Sequence, residues 1–167
     1  MKKYLICILL IMVIFISGCG KKDNEEKNNQ PKENENIEVK VEDLTIKLNS
    51  KRDYKDMSFM IPGDAQDMNI GTYFMADYMN GTDFIFRLAI YYNENKTIED
   101  TMGGLTSKGN KTINGIKWYL YDDVSQNGED VITYVCEHNK SAYSITFIHV
   151  KNIDSFIDAF MNTVKFK

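Results

Sequence analysis

Cysteine, histidine and tryptophan are scarce in this chain, whose 167 residues include three cysteines, two histidines and one tryptophan. Cys7 lies in an apolar N-terminal run and Cys19 follows that run, which leaves Cys136 as the one cysteine in the rest of the chain. An intramolecular disulfide is therefore excluded there, and so are zinc sites built from cysteine pairs. The folded part must depend on its hydrophobic core.

Motifs that carry catalysis are also absent from the sequence. It contains no Gly-x-Ser-x-Gly nucleophile elbow, no glycine-rich phosphate loop and no HExxH segment. We expect His138 and His149 on the two arms of one hairpin, roughly 20 Å apart at 3.3 Å per residue, so they cannot share a metal ion. We predict that the protein is not an enzyme, and we assign no catalytic residue and no cofactor.

The longest hydrophobic run is too short for a transmembrane helix. It spans Tyr4–Ile16, about 13 residues, whereas a helix needs about 20 to cross a bilayer. Two lysines precede the run and two small residues follow it, which is the three-part layout of a secretory signal. We expect residues 1–18 to be a removable signal peptide, with a permanent membrane helix as the alternative.

The segment Ile16-Ser17-Gly18-Cys19 resembles the lipobox of bacterial lipoproteins, in which an aliphatic residue and two small residues precede a cysteine. The resemblance implies a covalent diacylglyceryl lipid on the Cys19 sulfur and cleavage just before it. The alternative is an ordinary signal peptide followed by a chance cysteine. Two acyl chains, at about 0.8 kcal/mol per buried CH₂, would anchor the chain stably. The expected location is the extracytoplasmic face of the cell membrane, and the Lys-, Asn- and Ile-rich composition resembles that of low-GC Gram-positive bacteria.

Residues 19–40 contain the lipidated cysteine and a charged segment whose only aliphatic residues are Ile37 and Val39. Such a segment buries too little apolar surface to offset the entropy of ordering, so we predict a disordered tether, with a specific binding segment as the alternative. Residues 41–167 have the size of one domain. They contain 13 Lys and Arg against 18 Asp and Glu, a net charge of about −5 that argues against a nucleic-acid partner.

Strand patterns dominate the predicted domain. Runs rich in β-branched and aromatic residues alternate with turn signals, of which Asn-Gly at residues 80–81, 114–115 and 127–128 is typical of hairpins. Two helices are predicted. One begins after Thr97 as N-cap and ends at Gly103-Gly104, and the other carries an apolar stripe from Ile153 to Val164. Residues 116–121 are apolar on both strand faces, which indicates that both faces of the sheet are covered.

These elements predict an α+β fold, a mostly antiparallel sheet with helices on its faces. The element order resembles the PsbP-like family, on three segments: residues 57–62, a strand that ends in proline; residues 97–100, a helix start; and residues 154–166, a terminal helix that runs into a short strand. The resemblance covers about 120 residues. It implies an α/β/α sandwich and a binding or assembly role without catalysis.

Two groups of residues are candidates for a site. Arg87 lies inside a strong strand and could hold an anion in a pocket, although such a residue more often pairs with a carboxylate at a sheet margin or extends its charged end to solvent. Four carboxylates, those of Asp122, Asp123, Glu129 and Asp130, flank the turn at residues 127–128 and could bind Ca²⁺. A solvated hairpin tip that discourages edge pairing is the alternative for this acidic group.

Sulfur-containing side chains give a third candidate. Five methionines, Met57, Met60, Met68, Met75 and Met79, lie close together in the sequence, and thioethers are ligands suited to Cu(I). Core packing is the other use of flexible methionines. Cys136, in a predicted strand, is expected to be a small buried apolar group rather than a reactive thiol.

Three hypotheses for the function follow. The first is a membrane-anchored surface lipoprotein with a non-catalytic binding or accessory role at the cell envelope, whose partner is an envelope protein or a peptide. The second is a carrier of a metal ion (Ca²⁺ or Cu(I)) or of a small ligand. The third is an immunity-type lipoprotein that sequesters a toxic peptide.

Overall fold

The computed structural model describes residues 36–124, 128, 130–148 and 152–167. The predicted signal peptide, the lipobox with Cys19 and most of the predicted tether lie outside these residues, as do Glu129 and His149. No helix within the described ranges is long and apolar enough to cross a bilayer.

Strands make up 62% of the described residues and two helices make up 12%. The strands are β1 Ile37–Val41, β2 Leu44–Tyr54, β3 Met57–Pro62, β4 Gln66–Asn69, β5 Tyr73–Asn80, β6 Asp83–Asn93, β7 Gly109–Ile113, β8 Ile116–Val124, β9 Asp130–His138, β10 Ser141–Ile148 and β11 Lys165–Phe166. The helices are α1 Ile98–Met102 and α2 Asp154–Thr163.

The strands form two antiparallel sheets. The smaller sheet has the order β1-β2-β3-β11, and the larger has the order β4-β5-β6-β10-β9-β8-β7. This β-rich architecture contradicts the predicted α+β sandwich with helices on the faces of one sheet. The prediction was wrong because residues 37–62 and 165–166 build a second sheet beside α2, whereas α1 has only five residues.

The core joins the two sheets through aromatic rings on β3, α2 and the large sheet. The Phe160 ring on α2 lies 5.7 Å from that of Phe59 on β3 and 5.6 Å from that of Phe147 on β10. One turn earlier, the Phe156 ring lies 4.2 Å from that of Phe86 on β6. The predicted stripe of α2 therefore packs against residues of both sheets.

The N-terminal boundary of the folded part also differs from the prediction. Residues 37–40, assigned to the tether, belong to β1, and Val39 is buried in the core. Pairing with β2 gives this short segment backbone partners that its composition does not reveal. At the start of α2, the Ser155 hydroxyl donates to the Lys40 carbonyl at 2.8 Å, so part of the β1 edge is covered.

Local turn and cap predictions are confirmed where the structure describes them. Asn114 and Gly115, with φ of 51° and 75°, connect β7 to β8 as the Asn-Gly pattern predicted. Thr97 caps α1 and Gly103 ends it in the left-handed conformation. The hairpin of β9 and β10 turns at Asn139 and Lys140.

Candidate functional site

The candidate site lies on the face of the large sheet that points away from α2, which we call the outer face. Residues directly opposite in antiparallel strands share a face. The register pairs Met75 with Ala89, Ala89 with Thr146, Thr146 with Thr133, and Thr133 with Tyr121, so these five residues form one row across the outer face. The neighbours of Tyr121 in β8 point to the core side, since side chains alternate along a strand.

Helix α1 and the loop that follows it cross part of this outer face. Tyr121 and Val135 are buried there although they point away from the main core. The covering loop is fixed to β8, because the backbone N–H of Lys108 and the Ser107 hydroxyl both donate to the Leu120 carbonyl, at 2.9 and 3.2 Å. The outer face is thus half covered, with α1 and its loop forming a ridge.

Three interactions hold α1 in place despite its length. The Thr97 hydroxyl accepts from the Asp100 backbone N–H at 3.0 Å, and the Asp100 carboxylate accepts from the Thr97 N–H at 3.0 Å. These hydrogen bonds hold the pKa of the exposed Asp100 carboxyl below its usual value. Glu137 on β9 accepts from the Ile98 N–H at 2.8 Å and ties the helix start to the sheet. A capping box and one strand carboxylate therefore fix the ridge.

Two concave regions flank the ridge. The larger, which we call the large cleft, has a volume of about 810 Å³ and lies between α1 and its loop on one side and β8 and the end of β9 on the other. The small cleft, of about 340 Å³, lies over β6, β9 and β10. Met102, Leu105 and Tyr121 line both clefts. Leu105, at 52% exposed, is an apolar side chain held at the surface between them.

The large cleft combines aromatic, apolar and charged side chains. Tyr119 and Tyr121 supply rings, and Glu99, Glu137 and Lys117 supply the charges. The Lys117 ammonium lies 4.9 Å from the centroid of the Tyr119 ring, within the range of a cation–π interaction. The volume of the large cleft lies within the range of small-molecule sites, about 300–1,000 Å³.

His138 lines the large cleft, but its ring packs into the protein. It stacks on Phe166 with ring centroids 4.1 Å apart and planes 16° apart, and its Nε2 atom is buried without a hydrogen-bond partner. The Trp118 Nε1 atom is likewise buried without a partner, and the Trp118 ring stacks on the same Phe166 ring at 6.5 Å. His138 therefore acts as part of an aromatic cluster between the two sheets.

The small cleft is lined by uncharged side chains. The Thr133 and Thr146 hydroxyls are 3.0 Å apart, in hydrogen-bond contact, and Ser144 is buried beside them. Tyr91 lies at the margin, 43% exposed, with its ring 5.8 Å from that of Tyr73. The small cleft therefore presents hydroxyl groups and tyrosine rings on the outer face, beside the large cleft.

Arg87 is part of an ion pair on the outer face. Its Nε donates to Asp77 Oδ1 at 2.6 Å and its Nη2 donates to Oδ2 at 2.7 Å, in a bidentate arrangement between opposite residues of β5 and β6. Of the uses expected for Arg87, the structure shows pairing with a carboxylate. Neither cleft includes this arginine in its lining.

The structure describes the predicted acidic group only in part. The Asp122 carboxylate pairs with the Lys108 ammonium at 2.5 Å, and Asp130 lies at the start of β9. Asp123 is placed by its backbone alone, opposite Val131, and Glu129 lies outside the described residues. Among the residues that the structure does describe, no three His, Cys, Asp or Glu side chains come close enough to hold a metal ion.

The sulfur-containing side chains are dispersed. Met57 is fully buried in the core, whereas Met68 is 46% exposed and lies opposite Met75 at the edge of the large sheet. Cys136 is fully buried, as predicted, and burial raises the pKa of its thiol. The methionines therefore do not gather at one site: Met57 packs in the core, whereas Met68 and Met75 lie at the edge of the large sheet.

Sequence reasoning did not find the clefts. Their ridge depends on Met102, the last residue of the five-residue α1, and on Leu105 in the loop that follows, and neither residue is part of a motif. One signal was present: Tyr119 and Tyr121 alternate with core residues in β8, which indicated a covered second face. This pattern did not indicate that α1 and its loop would cover the outer face only in part and leave two clefts.

Comparisons with known proteins add information on the fold alone. No protein-family model and no curated protein matches the chain. The solved structures that resemble it include a crystal structure at 1.50 Å resolution of a protein from Bacteroides thetaiotaomicron VPI-5482. The TM-score is 0.52 and the identity is 12%, and the match covers 67% of this chain and 45% of that chain. The chain thus spans less than half of the structure that it matches.

Proposed function

We propose that this protein is a lipid-anchored, non-catalytic binding protein of the cell envelope, and that it binds an envelope protein or peptide in the clefts beside α1. The observation that carries the proposal is the ridge of α1 and its loop, which holds Leu105 in the open between two concave regions on the outer face. The ridge and the two clefts beside it together form a non-flat surface that a partner could contact.

A binding role agrees with how the reactive groups near the clefts are used. The His138 ring is stacked on Phe166 and its Nε2 atom is buried, so it does not face a substrate as a base. The Cys136 thiol is buried with a raised pKa, which favours the unreactive protonated form. Glu137 accepts a hydrogen bond from the N–H of Ile98 and so helps to hold α1. These observations support the proposal of a binding role.

The lipid anchor is proposed from the lipobox at residues 16–19. The test is metabolic labelling with a radioactive or alkyne fatty acid in the native host or a related bacterium. The wild-type chain should incorporate label, and Cys19→Ala should not. Label that persists in Cys19→Ala would contradict the anchor.

Occupancy of the clefts is tested by thiol labelling in intact cells. The Leu105→Cys variant is treated with a membrane-impermeant maleimide, with Lys47→Cys, at an exposed position of β2, as the matched control. Cys136 is buried and should contribute little background. If a partner covers the ridge, position 105 should react several-fold more slowly in cells than in the purified chain, whereas position 47 should react at equal rates. Equal rates at both positions would contradict the proposal.

A further inference from the structure

The large cleft carries a pattern that goes beyond generic binding, since one of its rings already contacts a cation. Lys117 is exposed, and its ammonium sits 4.9 Å from the centroid of the Tyr119 ring. The face of a tyrosine ring attracts a cation through the ring quadrupole. Lys117 thus occupies a position where an incoming basic group would be held.

Two carboxylates that line the same cleft complement the charge of such a group. Glu99 and Glu137 both line the cleft and both are exposed, against the single cation of Lys117. A carboxylate has about four acceptor positions, and the Ile98 N–H uses one of those on Glu137. The hydrogen bond fixes the carboxylate in place while leaving acceptor capacity for a ligand.

The apolar part of the lining suits the hydrocarbon portion of a long basic side chain. Met102 and Leu105 line the cleft together with Tyr119 and Tyr121. Lysine and arginine place their aliphatic stems on apolar surfaces and keep the charged end near polar groups. The cleft offers both environments side by side.

We propose that the large cleft recognises a basic side chain, lysine or arginine, in a peptide segment of the partner, and that this side chain displaces Lys117 from the ring of Tyr119. The inference rests on the proposed binding function and specifies the chemistry of what is bound. The charge complementarity of Glu99 and Glu137, together with the ring that already accepts a cation, favours a basic peptide over a neutral or acidic one.

The test is an NMR titration of the ¹⁵N-labelled chain from residue 19 onward, produced without its leader. The probes are three blocked pentapeptides, Gly-Gly-X-Gly-Gly, with lysine, norleucine or glutamate at X, and choline chloride as a fourth probe. The lysine peptide should shift the amides of residues 98–105, 117–121 and 137. The norleucine peptide should bind about fivefold or more weakly, since a cation–π contact contributes about 1 kcal/mol.

Two variants and a control sharpen the test. Tyr119→Leu keeps an apolar surface but removes the ring, and should weaken the lysine peptide about fivefold. Lys117→Gln removes the internal competitor and should tighten binding, an effect that a merely structural role for Lys117 would not produce. Tyr73→Leu, on the outer face but outside both clefts, should leave the affinity unchanged.

Several results would overturn the inference. Equal binding of the lysine and norleucine peptides, or no tightening in Lys117→Gln, would exclude cation recognition while the proposed binding function stands. Tighter binding of choline than of the lysine peptide would assign the cleft to a quaternary ammonium headgroup rather than to a peptide. Failure of the proposed function is read separately, from unchanged thiol labelling at position 105 in cells.

Discussion

Replacing Phe160 with alanine should destabilise the fold strongly, because this ring fills the space between the two sheets. Phe160 is fully buried and contacts the rings of Phe59, Phe147 and Phe156. Truncation of a buried phenylalanine to alanine costs about 3–5 kcal/mol, from lost transfer energy and from the cavity left behind. Domains of this size have a free energy of unfolding of about 5–15 kcal/mol, so the loss removes a large fraction of it.

The measurement is urea unfolding of the chain from residue 19 onward, followed by tryptophan fluorescence. Trp118 is the single tryptophan and is fully buried, so its emission reports on the core. In a parallel thermal melt, at about 3–4 °C per kcal/mol for a domain of this length, the melting temperature should fall by roughly 10–20 °C. Phe160→Leu keeps most of the volume and should cost less than half as much.

The reasoning about Phe160 would be refuted by a specific result. If Phe160→Ala lowered the free energy of unfolding by less than about 1 kcal/mol, and left the slope of that free energy against urea concentration unchanged, the ring would not bridge the sheets. The two-sheet core would then require revision.

Three further predictions concern local features. Thr97→Ala removes the α1 cap and should raise amide hydrogen exchange in residues 98–102 by roughly fivefold, with little change in the large sheet. Arg52 lowers the pKa of Asp67 through a bidentate contact, so this pair stabilises the fold above the unfolded pKa of about 3.9, and its contribution is lost as pH falls through the lower folded pKa. Asp67→Asn should therefore be less stable than wild type at pH 7, by under 1 kcal/mol, and this difference in stability should shrink as pH falls below about 3.9. Burial keeps the Cys136 thiol protonated, so in a Cys19→Ala chain its alkylation at pH 8 should follow the rate of global unfolding, and fast labelling of that folded chain would contradict the placement of Cys136.

The sequence was sufficient for features that depend on neighbouring residues. The left-handed positions at Asn114-Gly115 and Gly103, the Thr97 cap and the α2 stripe each follow from local chemistry, and the structure confirms them. Features that depend on distant pairing were missed. The apolar stripe of α2 indicates that the helix is buried, but it does not indicate which elements pack against it. In the structure these elements include β1 and β3 of the smaller sheet.

The candidate site was hidden for the same reason. Arg87 stood out because a charge inside a strand is unusual, but its partner Asp77 is ten residues away across the Asn80-Gly81 turn. The cleft lining combines α1, its loop, β8 and the end of β9, which become neighbours only through the register of the large sheet. The lining residues carry no sequence motif, and they form a cleft only because the sheet register brings them together.

The central claim, that a partner binds beside α1, is tested most directly by site-specific photo-cross-linking in living cells. A photoreactive phenylalanine analogue is placed at Leu105 and, as a control, at Lys47 on the small sheet. We expect one discrete cross-linked species from position 105 that is reduced when Tyr119→Leu is added, and none of that size from position 47. Cross-linking of the same species from both positions, or from position 105 with no effect of Tyr119→Leu, would contradict it.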